Sequence, residues 1–130
     1  MIRKEVILYG IDNYSRIIEN ITEDLKLSED YFDIKLILTE ALTNAFKHGN
    51  NSDKTKPIRL SCCYNGQTVY FEIEDTNVNK SSIAIPDGID DDTILNESGR
   101  GLYLIKALSD EVEIRNNILN IKKILNNYIS

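Results

Sequence analysis

Midway along this chain the apolar residues change their spacing, and that change restricts the fold more than any other feature. Ile34, Ile37, Leu38, Ala41, Leu42, Ala45 and Phe46 recur three and four apart, the stripe of an amphipathic helix. Ile58, Leu60, Cys62 and Tyr64 then alternate with Arg59, Ser61 and Cys63. After Asn65-Gly66, Val69, Phe71 and Ile73 alternate with Tyr70, Glu72 and Glu74. Two alternating runs around Asn-Gly predict a hairpin. A helix with one apolar stripe and a hairpin with one apolar face each need a second layer to cover them.

The remaining segments supply those layers. Residues 3–9 predict a strand that ends at Gly10, and Tyr14, Ile17, Ile18, Ile21 and Leu25 predict a helix from Asp12 to about Lys26. Ser28 is placed to cap the second helix, with Glu29 and Asp30 in its first turn, and Gly49 is placed as its left-handed cap. Gly101 to Leu108 predicts a short helix, and Glu111–Arg115 and Ile118–Ile124 two strands around Asn116-Asn117. The expected architecture is a two-layer α/β sandwich, helices on one face of a mixed, mainly antiparallel sheet. With no repeat, linker or low-complexity tract, residues 1–130 read as a single domain.

Composition narrows the function classes. The chain has 130 residues, 42% apolar and 28% charged, as globular chains do. Its net charge of −6 argues against direct nucleic-acid binding, which normally needs a basic face. No apolar run reaches the roughly 20 residues of a membrane span, and the N-terminal residues do not read as a signal peptide. The two cysteines, Cys62 and Cys63, are adjacent and point to opposite faces of a strand, so reduced thiols in a cytoplasmic protein are expected.

Three places carry polar residues where a plain core would not. Glu40 and Asn44 lie four apart on one flank of the apolar stripe, and His48 continues the row. Together Glu40 and Asn44 could hold a divalent cation or activate a hydroxyl; they could equally be a solvated helix flank with His48 as a cap. Asp75 shares strand parity with Val69, Phe71 and Ile73 and so points between sheet and helices, unless the strand has ended and Asp75 starts an Asx turn. Glu97-Ser98-Gly99-Arg100-Gly101-Leu102 places glycines directly before a helix, which suits an anion at its N-terminus and also an ordinary loop-to-helix turn. Between Thr76 and Ser98 periodicity fails and acidic residues dominate, which reads as a lid, a binding loop or a disordered stretch.

Taken together, these residues resemble a known family. Glu40-Ala41-Leu42-Thr43-Asn44-Ala45-Phe46-Lys47-His48-Gly49 is similar to the asparagine box of the GHKL (Bergerat-fold) ATPases, in the branch of anti-sigma-factor serine/threonine kinases. Asp75 falls where the family's adenine-reading aspartate stands. Glu97 to Ile105, followed by Asp110-Glu111-Val112, is similar to the branch's second glycine box and the helix after it.

The resemblance implies an ATP site between helices and sheet, closed by a nucleotide lid at about 76–98. Glu40 would be the general base, and Asn44 would help to hold magnesium. Asp75 would read the adenine, and Gly99, Arg100, Gly101 and Leu102 would line the phosphates. Lys47 and His48 would stand beside phosphates or ribose. It also implies a sigma factor and a small anti-anti-sigma-like (STAS) protein as partners, and a tendency to form homodimers.

One departure matters. The family's Asp-x-Gly-x-Gly reads Asp75-Thr76-Asn77-Val78-Asn79 here, with asparagine at both glycine positions. Asparagine tolerates positive φ, but its side chain adds bulk where the backbone meets the purine. A glycine of the closing hairpin is likewise replaced by Asn116 or Asn117. Two readings follow, an ATP-dependent protein serine/threonine kinase and a non-catalytic partner-switching module. A sensor histidine kinase domain fits less well, because the only histidine, His48, lies inside the box.

Overall fold

A computed structural model of the chain describes residues 1–24, 30–78, 85 and 97–125. Chain order is β1 (Ile2–Tyr9), α1 (Tyr14–Asp24), α2 (Tyr31–Asn44) continued by a π turn (Ala45–Gly49), β2 (Pro57–Tyr64), β3 (Thr68–Glu74), α3 (Glu97–Leu108), β4 (Glu111–Arg115) and β5 (Ile118–Ile124). The five strands form one sheet in the order β1-β2-β3-β5-β4, and every described pairing is antiparallel.

The alternation read from the sequence sets the faces. Val6 pairs with Leu60, Cys62 with Phe71, Ile73 with Leu119 and Ile114 with Leu119, so one face collects Leu8, Ile58, Leu60, Val69, Phe71, Ile73 and Ile121. Against it lie Ile18 and Ile21 of α1, the whole stripe of α2, and Leu102 and Ile105 of α3, forming one core. The opposite face carries charge: Arg59 pairs with Glu74 at 2.9 Å, Glu72 at 3.3 Å and Glu5 at 3.5 Å. The hydrogen bond to Glu74 is the main reason that the Arg59 pKa is raised.

Both tight hairpins use left-handed backbone. Asn116 and Asn117 (φ 56° and 61°) form the two-residue loop between Arg115 and Ile118, as a type I′ turn requires. Asparagine thus does adopt positive φ where the closing hairpin lost its glycine. In the β2–β3 hairpin the turn lies one residue later than the Asn-Gly pair. Asn65 N–H donates to the Thr68 carbonyl, and the central residues are Gly66 (φ 98°) and Gln67. Asn65 Oδ1 accepts from the amides of Gln67 and Thr68, which holds the loop shut.

Two helix boundaries differ from the expectations. Gly49 is not a left-handed cap; positive φ falls instead at Asn51 (53°) and Ser52 (59°). The cause is the π turn, in which Asn50 N–H reaches back to the Ala45 carbonyl at 2.8 Å and moves the exit of the helix onward. Gly99, Arg100 and Gly101 are not in a loop before α3 but in its first turns, since α3 begins at Glu97. Ser28, Glu29 and most of the expected lid (79–84 and 86–96) lie outside the described residues. Among the described residues no helix is long and apolar enough to cross a membrane.

Candidate functional site

The site lies where α2 and its π turn, α3 and the ends of β3 and β5 meet. Helical spacing places Glu40 and Asn44 one turn apart on the α2 flank that faces α3. Gly101 makes that approach possible. A Cβ at Gly101 would lie 2.8 Å from Glu40 Oε2 and 3.0 Å from Asn44 Nδ2. Glycine here brings the α3 backbone against a carboxylate and an amide, and needs no unusual φ to do so.

A second close approach lies on the other side. A Cβ at Gly49 would stand 1.9 Å from Asp75 Oδ2 and 2.2 Å from its Cγ. Gly49 is therefore glycine because the Asp75 carboxylate occupies the space of its side chain, not because of the backbone angle. Asp75 points inward with Ile73, as strand parity predicts, and its Oδ1 also accepts the Asn77 amide at 2.9 Å. The inward aspartate and the Asx turn, alternatives in the sequence, coexist.

Between these two approaches lies a cleft walled by Asn44 and His48 from the helix, Ile73 of β3 and Asp75 just after it, Leu102 from α3 and Leu119 from β5. Its volume is about 50 Å³, room for a small group. The walls are mainly apolar, with Asp75 and Asn44 as the polar points, a pattern common to small-molecule sites.

Asn44 is the electrostatic oddity of this wall. Its Nδ2 is buried and has no hydrogen-bond partner among the described residues. Amide oxygen and nitrogen are nearly alike in shape, so a half-turn would present the carbonyl oxygen to a cation instead. Buried polar atoms without partners are rare enough that a ligand is a natural explanation. Among the described residues no group of three His, Cys, Asp or Glu side chains could hold a metal ion. A hard cation here would take most of its oxygens from its own ligand and from water, as magnesium commonly does.

Glu40, Asn44, Gly101 and Leu102 come together at the α2–α3 contact, and Asp75 and Asn77 at the far wall. His48 lines the cleft while remaining exposed, whereas Lys47 and Arg100 are exposed and outside its lining. Gly99 is half-buried, one residue from Arg100. Asn77 keeps an ordinary φ, so asparagine in place of that glycine costs no backbone strain. Asn79 lies outside the described residues.

One residue of the site was not legible beforehand. Asn50 is fully buried, and its Oδ1 accepts from both Thr76 N and Thr76 Oγ1, at 2.8 and 2.7 Å. Its Nδ2 donates to the carbonyls of Lys56 and Pro57 at 3.3 and 3.1 Å. The partners lie 6, 7 and 26 residues away, so no local pattern announces them.

This arrangement, two glycines that admit a carboxylate and a carboxylate–amide pair on either side of a cleft over an antiparallel sheet, coincides with a family match over nearly the whole chain. Residues 11–123 match the family model described as Histidine kinase-like ATPase domain, and the chain belongs to that family. It is similar to the Serine-protein kinase RsbW of Bacillus licheniformis, 31% identical over 96 residues that cover 67% of this chain and 58% of that protein. The Serine-protein kinase RsbW of Bacillus velezensis is 28% identical over 98 residues, covering 68% and 59%. The matches thus span less than two thirds of the length of either relative.

Proposed function

We propose that the chain is an ATP-binding protein serine/threonine kinase of the anti-sigma type, acting in the cytoplasm. It would phosphorylate a small STAS-type partner and regulate transcription by partner switching with a sigma factor. The observation that carries this reading is the convergence of Glu40 and Asn44 on the backbone of Gly101, beside a cleft whose far wall is Asp75. Similarity to proteins named serine-protein kinases supports the choice of phosphoryl acceptor.

Each residue then has a task its chemistry suits. Asp75 Oδ2, packed against Gly49, accepts a hydrogen bond from the amino group of adenine. Leu102, Ile73 and Leu119 sandwich the ring in the apolar slot. The Asn44 amide oxygen would help to hold magnesium. Gly99, Arg100 and Gly101 sit in the first turns of α3, where the positive end of the helix dipole and a guanidinium favour phosphate oxygens. Lys47 and His48 add donors at the rim of the helix. Glu40 takes the proton from the attacking serine or threonine hydroxyl. When bound, magnesium–ATP supplies the phosphoryl group and the cation that offsets its charge, and the protein supplies mainly position and electrostatics.

A second reading rests on Asn77, which places a side chain in the cleft lining where the family has a glycine. On that reading the chain is a partner-switching module that binds its partner without transferring phosphate. Incubation with magnesium–ATP and a STAS-type partner separates the two. The kinase reading predicts one phosphoserine or phosphothreonine on the partner, lost with Glu40→Ala. Complex formation without phosphate transfer in either protein rejects it in favour of the module.

A further inference from the structure

We infer that Asn50 is the positioning residue of the base-reading aspartate, Asp75. This assignment rests on the nucleotide-binding reading above. Asp75 is the first residue after β3, beyond Ile73 and Leu119, where the ladder to β5 ends. An aspartate there would ordinarily share the freedom of the loop that follows. Asn50 removes that freedom from the next residue. Its amide oxygen takes both donors of Thr76, the backbone N–H at 2.8 Å and the hydroxyl at 2.7 Å.

The other end of the same side chain is equally fixed. Nδ2 bridges the carbonyls of Lys56 and Pro57 at the start of β2, and the Asn50 amide closes the π turn on Ala45. One fully buried amide therefore ties the helix exit, the entry to β2 and the exit of β3 to each other. Gly49 is its neighbour in sequence, and Gly49 is the residue whose missing Cβ makes room for Asp75 Oδ2. The clamp holds both sides of that contact at once. With Thr76 fixed, the Asn77 amide meets Asp75 Oδ1 at 2.9 Å with ordinary backbone geometry, and a glycine is not needed at 77.

The test needs one readout that does not depend on nucleotide. Amide hydrogen exchange by NMR on the nucleotide-free protein supplies it, alongside ADP titration. In Asn50→Ala the Thr76 amide loses its acceptor directly, whereas the Asn77 amide is held by Asp75 and responds if the contact between Asp75 and residue 77 loosens. Both amides should exchange at least about tenfold faster and ADP should bind at least about tenfold more weakly, the effect of losing even one of the four bonds the side chain makes. The amides of Phe71 and Ile121 in the core strands should keep their protection, which general loosening of the fold would not allow.

Thr76→Val, at an exposed position, removes only the hydroxyl bond and should shift Asn77 exchange and ADP affinity the same way by about threefold. It decides the matter if Asn50→Ala does not fold. Unchanged Asn77 exchange in whichever of these variants folds overturns the assignment. Failure of the wild-type protein to bind ADP would reject the nucleotide reading instead, while the exchange of Asn77 still decides the clamp.

Discussion

Gly49→Ala is the substitution whose effect follows most directly from the geometry. The new methyl group would sit 1.9 Å from Asp75 Oδ2, far inside van der Waals contact, so one of the two groups must give way. The backbone at 49 is held by the π turn and by the Asn50 bonds on its C-terminal side. The Asp75 carboxylate turns on a single χ1 bond, so it is the group that moves. Turning it breaks the bond from the Asn77 amide to Oδ1. Losing a hydrogen bond to a charged group costs about 1.5–3 kcal/mol. For a chain of 130 residues, 1 kcal/mol corresponds to roughly 4 °C in Tm. The expected loss is therefore about 6–12 °C by thermal unfolding. ADP affinity measured calorimetrically should fall by more than tenfold, because the base-reading oxygen no longer faces the slot. A Gly49→Ala protein with wild-type Tm and wild-type ADP affinity would refute the claim that glycine is present to admit Asp75.

Other perturbations have equally definite outcomes. Gly101→Ala should leave Tm nearly unchanged, as a helix-propensity gain of about 1 kcal/mol offsets the contacts with Glu40 and Asn44, yet lower phosphoryl transfer by at least tenfold in a radiolabel assay. Asn117→Gly should raise Tm, since it relieves a φ of 61° and removes a buried Oδ1 that has no partner among the described residues; an unchanged or lower Tm would contradict that. Lys123→Met should cost about 1–2 kcal/mol in urea denaturation, because Lys123 Nζ donates to the Leu108 carbonyl at the end of α3 and pairs with Asp33. Burial pushes the Cys62 thiol up to about 11 from its ordinary 9.0. An acid whose folded pKa is raised loses stability as pH climbs through the unfolded value, so the fall in Tm between pH 9 and 11 should be shallower in Cys62→Val.

How much of this was legible in the sequence depends on the range of the interaction concerned. The α2 stripe, the alternation in β2 and β3 and the inward aim of Asp75 follow from periodicity, which is a local property, and the structure has them where periodicity places them. The Glu40–Asn44 pairing is likewise a matter of helical spacing. The glycines were harder to read, because a glycine looks the same in sequence whether it serves positive φ or close approach. Gly49 and Gly101 turn out to serve approach, and the partners that make them necessary are Asp75 and the Glu40–Asn44 pair. The π turn has no periodic signature, and it moved the helix exit beyond Gly49. Lys123 shares strand parity with Leu119 and Ile121, but nothing local to it announces that its amine reaches Leu108 and Asp33 at two helix ends. Asn50 stood outside every motif, since its bonds reach Lys56, Pro57 and Thr76.

The central claim is that Asp75 and the cleft beside it bind an adenine nucleotide despite asparagine at 77 and 79. Calorimetric titration of the protein with ADP in magnesium, beside the same titration of Asp75→Ala, tests it most directly. Saturable one-to-one binding that Asp75→Ala weakens by at least about tenfold, the loss of one charge-assisted hydrogen bond, is the expected result. No binding to the wild-type protein, or equal binding to both, would contradict it.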